Sequence, residues 1–445
     1  MAVLRPVFYF LIYILVLLTG PDLLAILVTL PLFVAIMVTL LNEDRNRIGY
    51  IDGISLIYFI SFVVVPMQKI SDRTFDYSGI GNGVTYPQEY FVIVAGLALA
   101  SYVALAVVLR NVPVARFWDA KIKISKWYLI ISAVVLVVTA ILLSGSIENL
   151  QAPRYDKEYD AYTIFVTIVD AFLCINAIFA IMREDANKVG KVLTALFCVL
   201  CLLWVANPFN TARFVLLGVW IPVILCMLPR FTNPGVFYIL VPLALLVVLP
   251  VLSITTRQGV AEINAETVYG YGTSIFVISF FDLFECSVEA LRHISRFGYQ
   301  DGNLLLFTVF TFVPRTLWPE KPINSGLLIG QMNVREGLHN ENLAVPWFID
   351  GYMDFGIVGS LAYGALLACA FAFVRNKVKV NVGGVDLVFL VFIANVAILI
   401  RGTLGVVMYL YVFQLLALFV YSKLFVRTVP HPQVTPFTLA VSRGV

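Results

Sequence analysis

The feature that most constrains this chain is a succession of apolar runs, each about as long as a bilayer is thick, separated by short polar interruptions. A helix that crosses the hydrocarbon needs roughly 17 to 25 apolar residues. Lipid leaves no backbone amide without an internal partner, so runs of this length have one regular solution, the α-helix. Twelve runs stand out, at 6–20, 23–41, 50–66, 89–109, 127–145, 162–182, 191–206, 213–229, 235–255, 354–374, 385–401 and 403–425. The expected fold class is an all-α polytopic membrane protein with about 12 transmembrane helices. With 61% of residues hydrophobic and only 13% charged, a soluble domain is excluded. A net charge of +3 gives no footing for nucleic acid.

The same pattern divides the chain into spans 1–9 over 1–255, one long loop over 256–353, spans 10–12 over 354–426, and a disordered tail over 427–445. Arg5 is followed by an apolar run to Leu18 with no small-residue cleavage pattern, which reads as a first span and not a removed signal. Five of the six cysteines fall inside apolar runs. Cys198 and Cys201 have redox spacing, but beside Leu202 and Leu203 a packing role is the better reading.

Orientation follows from the lysine and arginine bias of short loops. The loop holding Arg110, Arg116, Lys121, Lys123 and Lys126 has Asp119 as its one acid, so it is expected in the cytoplasm. Alternation then puts Arg5, Arg45, Arg47, Arg183, Lys188, Lys191, Arg230, Arg375, Lys377, Lys379, Lys423, Arg427 and Arg443 on that side too, most of the chain's 30 cations. The loop around Arg154 is acidic, with Glu148, Asp156, Glu158 and Asp160, as the opposite side requires. Both termini are therefore expected to be cytoplasmic, and 256–353 extracytoplasmic. Loops this long are usually functional. Within it, Asp282, Glu285, Glu289, Arg292, His293 and Arg296 recur at steps of three and four against Phe281, Phe284, Val288 and Leu291, which predicts an amphipathic helix lying in the interface, with His293 paired to Glu289.

The cations that break the inside bias are the informative ones. Arg213 opens a span, Arg257 closes another, Arg401 sits at a span end, and Arg315 and Lys321 belong to the long loop. All are expected near one face, and Arg213, Arg257 and Arg401 have few acidic neighbours in sequence. An arginine fork matches phosphate oxygens and stays charged, so this set would bind a diphosphate if its members converge. Singly, each arginine would also serve by snorkelling to lipid headgroups. Transfer of a sugar from a diphosphate lipid needs stabilisation of the leaving group and a base for the acceptor hydroxyl. His339, beside Asn340, Glu341 and Asn342, is the candidate base, with Glu341 and Asp350 as alternatives. No Asp-x-Asp occurs, so no metal or other cofactor is expected and the arginines would serve the leaving group. Asp170 is the one carboxylate expected deep in the membrane, marking either function or a buried hydrogen bond.

The stretch Pro314-Arg315-Thr316-Leu317-Trp318-Pro319-Glu320-Lys321-Pro322 packs three prolines, two cations and a tryptophan into a stiff turn. It reads either as an interfacial anchor or as a rigid presenter of Arg315 and Lys321, with Trp318 at the interface or against a sugar ring. Set in a long outer loop and followed by Tyr352-Met353-Asp354-Phe355-Gly356-Ile357-Val358-Gly359 at a span start, it resembles the O-antigen polymerase (Wzy) family. The resemblance implies a GT-C-like enzyme of the bacterial inner membrane, working without a metal on its periplasmic face. It would polymerise undecaprenyl-diphosphate-linked repeat units, as donor and acceptor, in lipopolysaccharide biosynthesis, beside a chain-length regulator. Arg213, Arg257 and Arg315 would then contact diphosphate or sugar, with Arg401, Lys321, Trp318 and Glu341 completing the substrate site. An O-antigen ligase acting on lipid A core is a sister alternative. A transporter of lipid-linked oligosaccharide should show two related halves, interrupted helices and polar groups near mid-bilayer, whereas this sequence shows one lopsided loop, no related halves and only Asp170 deep inside.

Overall fold

In the computed structural model the described residues are 4–42, 48–72, 86–111, 120–152, 161–185, 187–248, 251, 254, 266–267, 282–311, 313, 315, 317–335, 343–378, 381–382, 385–402 and 404–428. The apolar runs are helices: α1 (Leu4–Leu17), α2 (Leu23–Leu41), α3 (Tyr50–Phe59) continued through a π-helical turn (Ile60–Val64) into α4 (Val65–Asp72), α5 (Gln88–Asn111) and α6 (Lys126–Ser144). The short α7 (Ile147–Gln151) precedes α8 (Ala161–Met182), α9 (Lys188–Val205), α10 (Arg213–Met227) and α11 (Pro234–Leu243), the last continued by a second π-helical turn (Ala244–Val248). Then come α12 (Leu283–Phe297), α13 (Asn303–Val309), α14 (Ser325–Arg335), α15 (Trp347–Lys377), α16 (Leu387–Arg401) and α17 (Leu404–Phe425). Local chemistry sets several boundaries. Asn187 accepts the Gly190 amide at the start of α9 (3.0 Å), Asp386 accepts those of Val388 and Phe389 at the start of α16 (3.1 and 3.3 Å), and Gly145 at φ 75° closes α6.

The chain is an all-α polytopic membrane protein. Among the described residues seven helices are long and apolar enough to cross a bilayer, and four shorter apolar helices accompany them. The segment Tyr50–Ser71 is 89% buried by protein whereas Lys126–Ser144 is 17% buried, which separates a central helix from one facing lipid. Large apolar side chains point outward along α1, α2, α6 and α9, the reverse of a soluble surface.

Two ends of the bundle can be told apart. At one, the strand β1 (Ala120–Ile122) pairs antiparallel with β4 (Val426–Thr428), and β2 (Asn381–Val382) pairs with β3 (Val385–Asp386) alongside. The Glu184 amide donates to the Ile122 carbonyl (3.1 Å) and Arg375 pairs with Asp386 (2.6 Å). Tyr50 packs edge-on against Phe371, Phe389 and Phe392. This basic end collects the loops expected together in the cytoplasm. The expected tail from 427 begins later, since Arg427 and Thr428 belong to β4; 429–445 lie outside the described residues. At the other, loop-rich end, Asn210 bonds the Leu150 carbonyl (2.8 Å) and Asn207 bonds Gln151 (2.9 Å), tying α7 to the α9–α10 turn.

The described residues of the segment expected as one long loop are largely helical and packed. Every residue from Leu283 to His293 in α12 is buried, so this helix is covered by protein and does not float in the interface as its amphipathic pattern predicts. Its charged face turns inward because partners from distant segments meet it there. The expected tenth span, 354–374, corresponds to the arm 357–377 of α15, which a break at Phe355 (φ −139°) and Gly356 (φ 64°) separates from a preceding arm starting at Trp347.

Candidate functional site at the loop-rich end

The interruption in α15 is a reversal. A Cβ on Gly351 would run into the Gly359 carbonyl, and one on Gly359 into the Gly351 carbonyl, while the Trp347 ring lies 3.1 Å from where a Cβ of Gly364 would stand. Residues 347–354 therefore fold back along 357–377 as a helical hairpin, with its tip at the loop-rich end and the buried Trp347 inside the bundle. Gly356 supplies the positive φ of the tip. Asp354 accepts the amides of Leu304 and Leu305 (3.1 and 2.9 Å) and the Tyr363 hydroxyl (2.6 Å), so it caps α13. Thus Asp354, Gly356 and Gly359 of the family-like stretch 352–359 build the tip. Asp350, an alternative base by sequence, lies buried on the inner arm and accepts from Ser325 Oγ (2.5 Å), which fastens α14 to the hairpin.

Beside the hairpin, α12 carries a buried ionic network. Lys69 of α4 pairs with Glu285. Glu289 accepts from Arg292 Nε (2.8 Å) and from the Tyr86 hydroxyl, and Arg292 Nη2 donates to Asn333 Oδ1 of α14 (2.8 Å). Arg401 Nη2 stands 3.3 Å from Asp282 Oδ1, so the acid that balances it comes from over a hundred positions away and is invisible to local sequence. His293 is not paired to Glu289, whose carboxylate Arg292 and Tyr86 take. Among the described residues its Nδ1 has no hydrogen-bond partner, its ring lies 4.9 Å from that of Phe297, and burial holds its pKa below the usual histidine value.

The stretch 314–322 closes on itself. Arg315 donates through Nη1 to the carbonyls of Pro319 (3.3 Å) and Lys321 (2.9 Å), and through Nη2 to that of Pro322 (3.2 Å). Lys321 is buried, and its Nζ donates to the carbonyls of Thr311 (3.0 Å) and Val313 (2.8 Å) beyond the end of α13. Burial, and then the nearby Arg315 charge, lower its pKa. Lys321 is thus a brace inside the protein, a correction to its expected role as a presented substrate contact. Trp318 is half-buried, edge-on to Phe310 at 5.6 Å. The knot is anchored through Thr311, whose hydroxyl bonds that of Tyr409 in α17.

Arg213 and Arg401 do share this end. Gly218 of α10 abuts Asn395 of α16, and Arg213 lies five residues before the one, Arg401 six after the other. With α10 and α16 antiparallel, both lie about 8 to 9 Å from that contact toward the loop-rich end. Arg213 is buried there. Arg257, His339 and Glu341 lie outside the described residues. Sequence reasoning missed Lys69, Tyr86, Glu289, Arg292 and Asn333 as a network. The three-and-four spacing on α12 was the available signal, and it carries no information on which way the face turns.

The bundle interior is more polar than the sequence implies. Asn395 Nδ2 donates to Gln414 Oε1 (2.7 Å), Gln414 Nε2 donates to the Gly218 carbonyl (2.9 Å), and Asn176 Nδ2 donates to the Leu129 carbonyl (3.0 Å). Asp170 is therefore not the only deep polar group. Cys198 packs in the same interior against that Leu129 carbonyl (3.8 Å). Among the described residues no three His, Cys, Asp or Glu side chains gather as metal ligands. An apolar slot of about 130 Å³ runs between α3, α5, α15, α16 and α17, walled by Trp347, Leu399 and Tyr411 among others. A larger open basin of about 870 Å³ lies at the basic end, away from this site. Comparison with protein-family models, curated proteins and solved structures returned no match.

Proposed function

We propose that this chain is a membrane-embedded glycosyltransferase of the O-antigen polymerase (Wzy) type, GT-C-like, with about 12 spans and both termini in the cytoplasm of a bacterium. It joins undecaprenyl-diphosphate-linked repeat units at the loop-rich, periplasmic end. The observation that carries this reading is the gathering of Arg213, Arg315 and Arg401 at one end of the bundle, roofed by the non-spanning helices α12 to α14. Three hydrogen bonds from Arg315 hold its guanidinium still, and among the described residues two of its five N–H groups remain for an oxyanion. A fixed donor of this kind stabilises a departing diphosphate without reorganising as the charge develops. His339 remains the proposed base and Arg257 a further diphosphate contact.

The test is the lipopolysaccharide banding of a deletion strain. Core plus one repeat supports a polymerase, core alone a ligase or flippase, and an unchanged pattern removes the pathway. Arg213→Ala and Arg315→Ala, with protein level followed by immunoblot, are expected to reproduce the core-plus-one-repeat band. Full ladders from both would sink the arginine assignment.

A second reading, a transporter of lipid-linked oligosaccharide, is favoured by the hairpin break at Phe355 and Gly356, the two π-helical turns, and the Asn395 and Gln414 pair in the interior. Accumulation of untranslocated, cytoplasm-facing lipid-linked repeats in the deletion strain would select it.

A further inference from the structure

A second hollow belongs to neither reading. It is an open basin of about 870 Å³ at the basic end, where α6 begins, α8 ends and α9 begins. Four cations line it: Lys123, Arg183, Lys188 and Lys191. Its two acids are already engaged, Asp185 by the buried Arg183 and Glu184 by Lys121 at 3.2 Å. Lys123, Lys188 and Lys191 have no acidic or hydrogen-bonded side-chain partner among the described residues. Three ammonium groups facing one hollow repel one another and attract an anion of matching size.

We propose that this basin is a binding site for the phosphate headgroup of an anionic phospholipid. Two neighbouring surfaces decide for a lipid over a soluble phosphate. On the adjoining face of the same helix, α9 exposes Val189, Val192, Leu193 and Leu196, an apolar strip on which an acyl chain can lie. On the other flank, exposed Trp127 and Tyr128 open α6, with Lys126 over the indole at 5.4 Å, the arrangement of an interfacial aromatic belt. The basin thus straddles the boundary between a greasy face and a cationic hollow, as a phospholipid does in reverse. The site would fix the tilt of α6 and α9, the helices with least protein around them. The inference goes beyond the proposed enzyme and stands or falls without it.

The test uses the full-length protein in detergent, titrated with phosphatidylglycerol, phosphatidylcholine or inorganic phosphate while the unfolding midpoint is followed. Phosphatidylglycerol is expected to raise the midpoint saturably, and the other two to do so weakly or not at all. In Lys123→Gln/Lys188→Gln/Lys191→Gln the apparent affinity for phosphatidylglycerol should fall about tenfold or more, since each basic side chain near a lipid surface contributes measurably. Should that variant not fold, Lys188→Gln/Lys191→Gln is expected to lose about fivefold. A wild-type curve in a folded variant overturns the site. Inorganic phosphate matching the full shift makes it a soluble-anion site, and phosphatidylcholine matching it leaves mere filling by any lipid; either result defeats the proposal.

Discussion

The two ends of the bundle hold cations of the same kinds and use them in opposite ways. At the loop-rich end Lys69, Arg292 and Arg401 face Glu285, Glu289 and Asp282, and Arg315 and Lys321 donate into backbone carbonyls. At the basic end Lys123, Lys188 and Lys191 stand over a hollow with their neighbouring acids already paired. A cation in a membrane protein is thus not informative by its presence. What matters is whether the fold has delivered an acceptor to it, because an ion desolvated without a partner costs several kcal/mol while an exposed one costs little.

Breaking the contrast from the buried side should give the largest effects. Lys69→Ala or Glu285→Ala strands one charge inside α12's network and should cost about 3 to 5 kcal/mol, seen as loss of the folded, monodisperse protein by size-exclusion chromatography. Lys69→Met/Glu285→Met removes both charges and is expected to recover most of the yield; if it remains as damaged as the single variants, the pair is not the cause. Next comes the hairpin. Gly356→Val places a branched side chain at φ 64° and should cost about 1 to 3 kcal/mol, read from the unfolding midpoint in detergent, with Gly96→Ala, inside α5 and facing open space, far milder.

The brace is the third lever. Lys321→Ala leaves the carbonyls of Thr311 and Val313 without their donor and should lose about 1 to 3 kcal/mol. The same truncation at Lys188 or Lys191 should stay within about 0.5 kcal/mol in lipid-free detergent. Equal losses at the two ends would erase the distinction between them.

The smallest effect is a pH slope. Because burial lowers the folded-state pKa of His293, the unfolded chain takes up its proton first as pH falls. Its contribution is therefore intact above about pH 6.5 and declines as pH drops from there toward the folded value. His293→Phe should flatten the dependence of the unfolding midpoint on pH below about pH 6.5. A slope unchanged by the substitution would show that other groups set it.

Much of the architecture was legible. Spans such as 23–41 and 89–109 coincide closely with α2 and α5, since hydropathy is a sum over neighbours in sequence and so is helix formation in lipid. The grouping of loops was legible too: Lys121, Arg183, Arg375 and Arg427 share an end as the charge bias requires. The structural role of the 352–359 stretch was not legible, because Gly351 meeting Gly359 depends on a reversal at Gly356 that no periodicity announces. Lys321 looked presented from the density of prolines around it, and is instead buried by carbonyls of residues ten and eight positions earlier.

By itself the sequence determined that this is a bundle of membrane helices, roughly where each begins and ends, and which loops share a face. Those properties follow from transfer energies that each segment carries alone. Only the tertiary structure decided that the amphipathic face of α12 turns inward, that Asp282 answers Arg401, and that the arm from Trp347 to Asp354 folds back inside the bundle. A charge or a glycine states a need for a partner, and the partner's identity is settled by which distant segment packs against it.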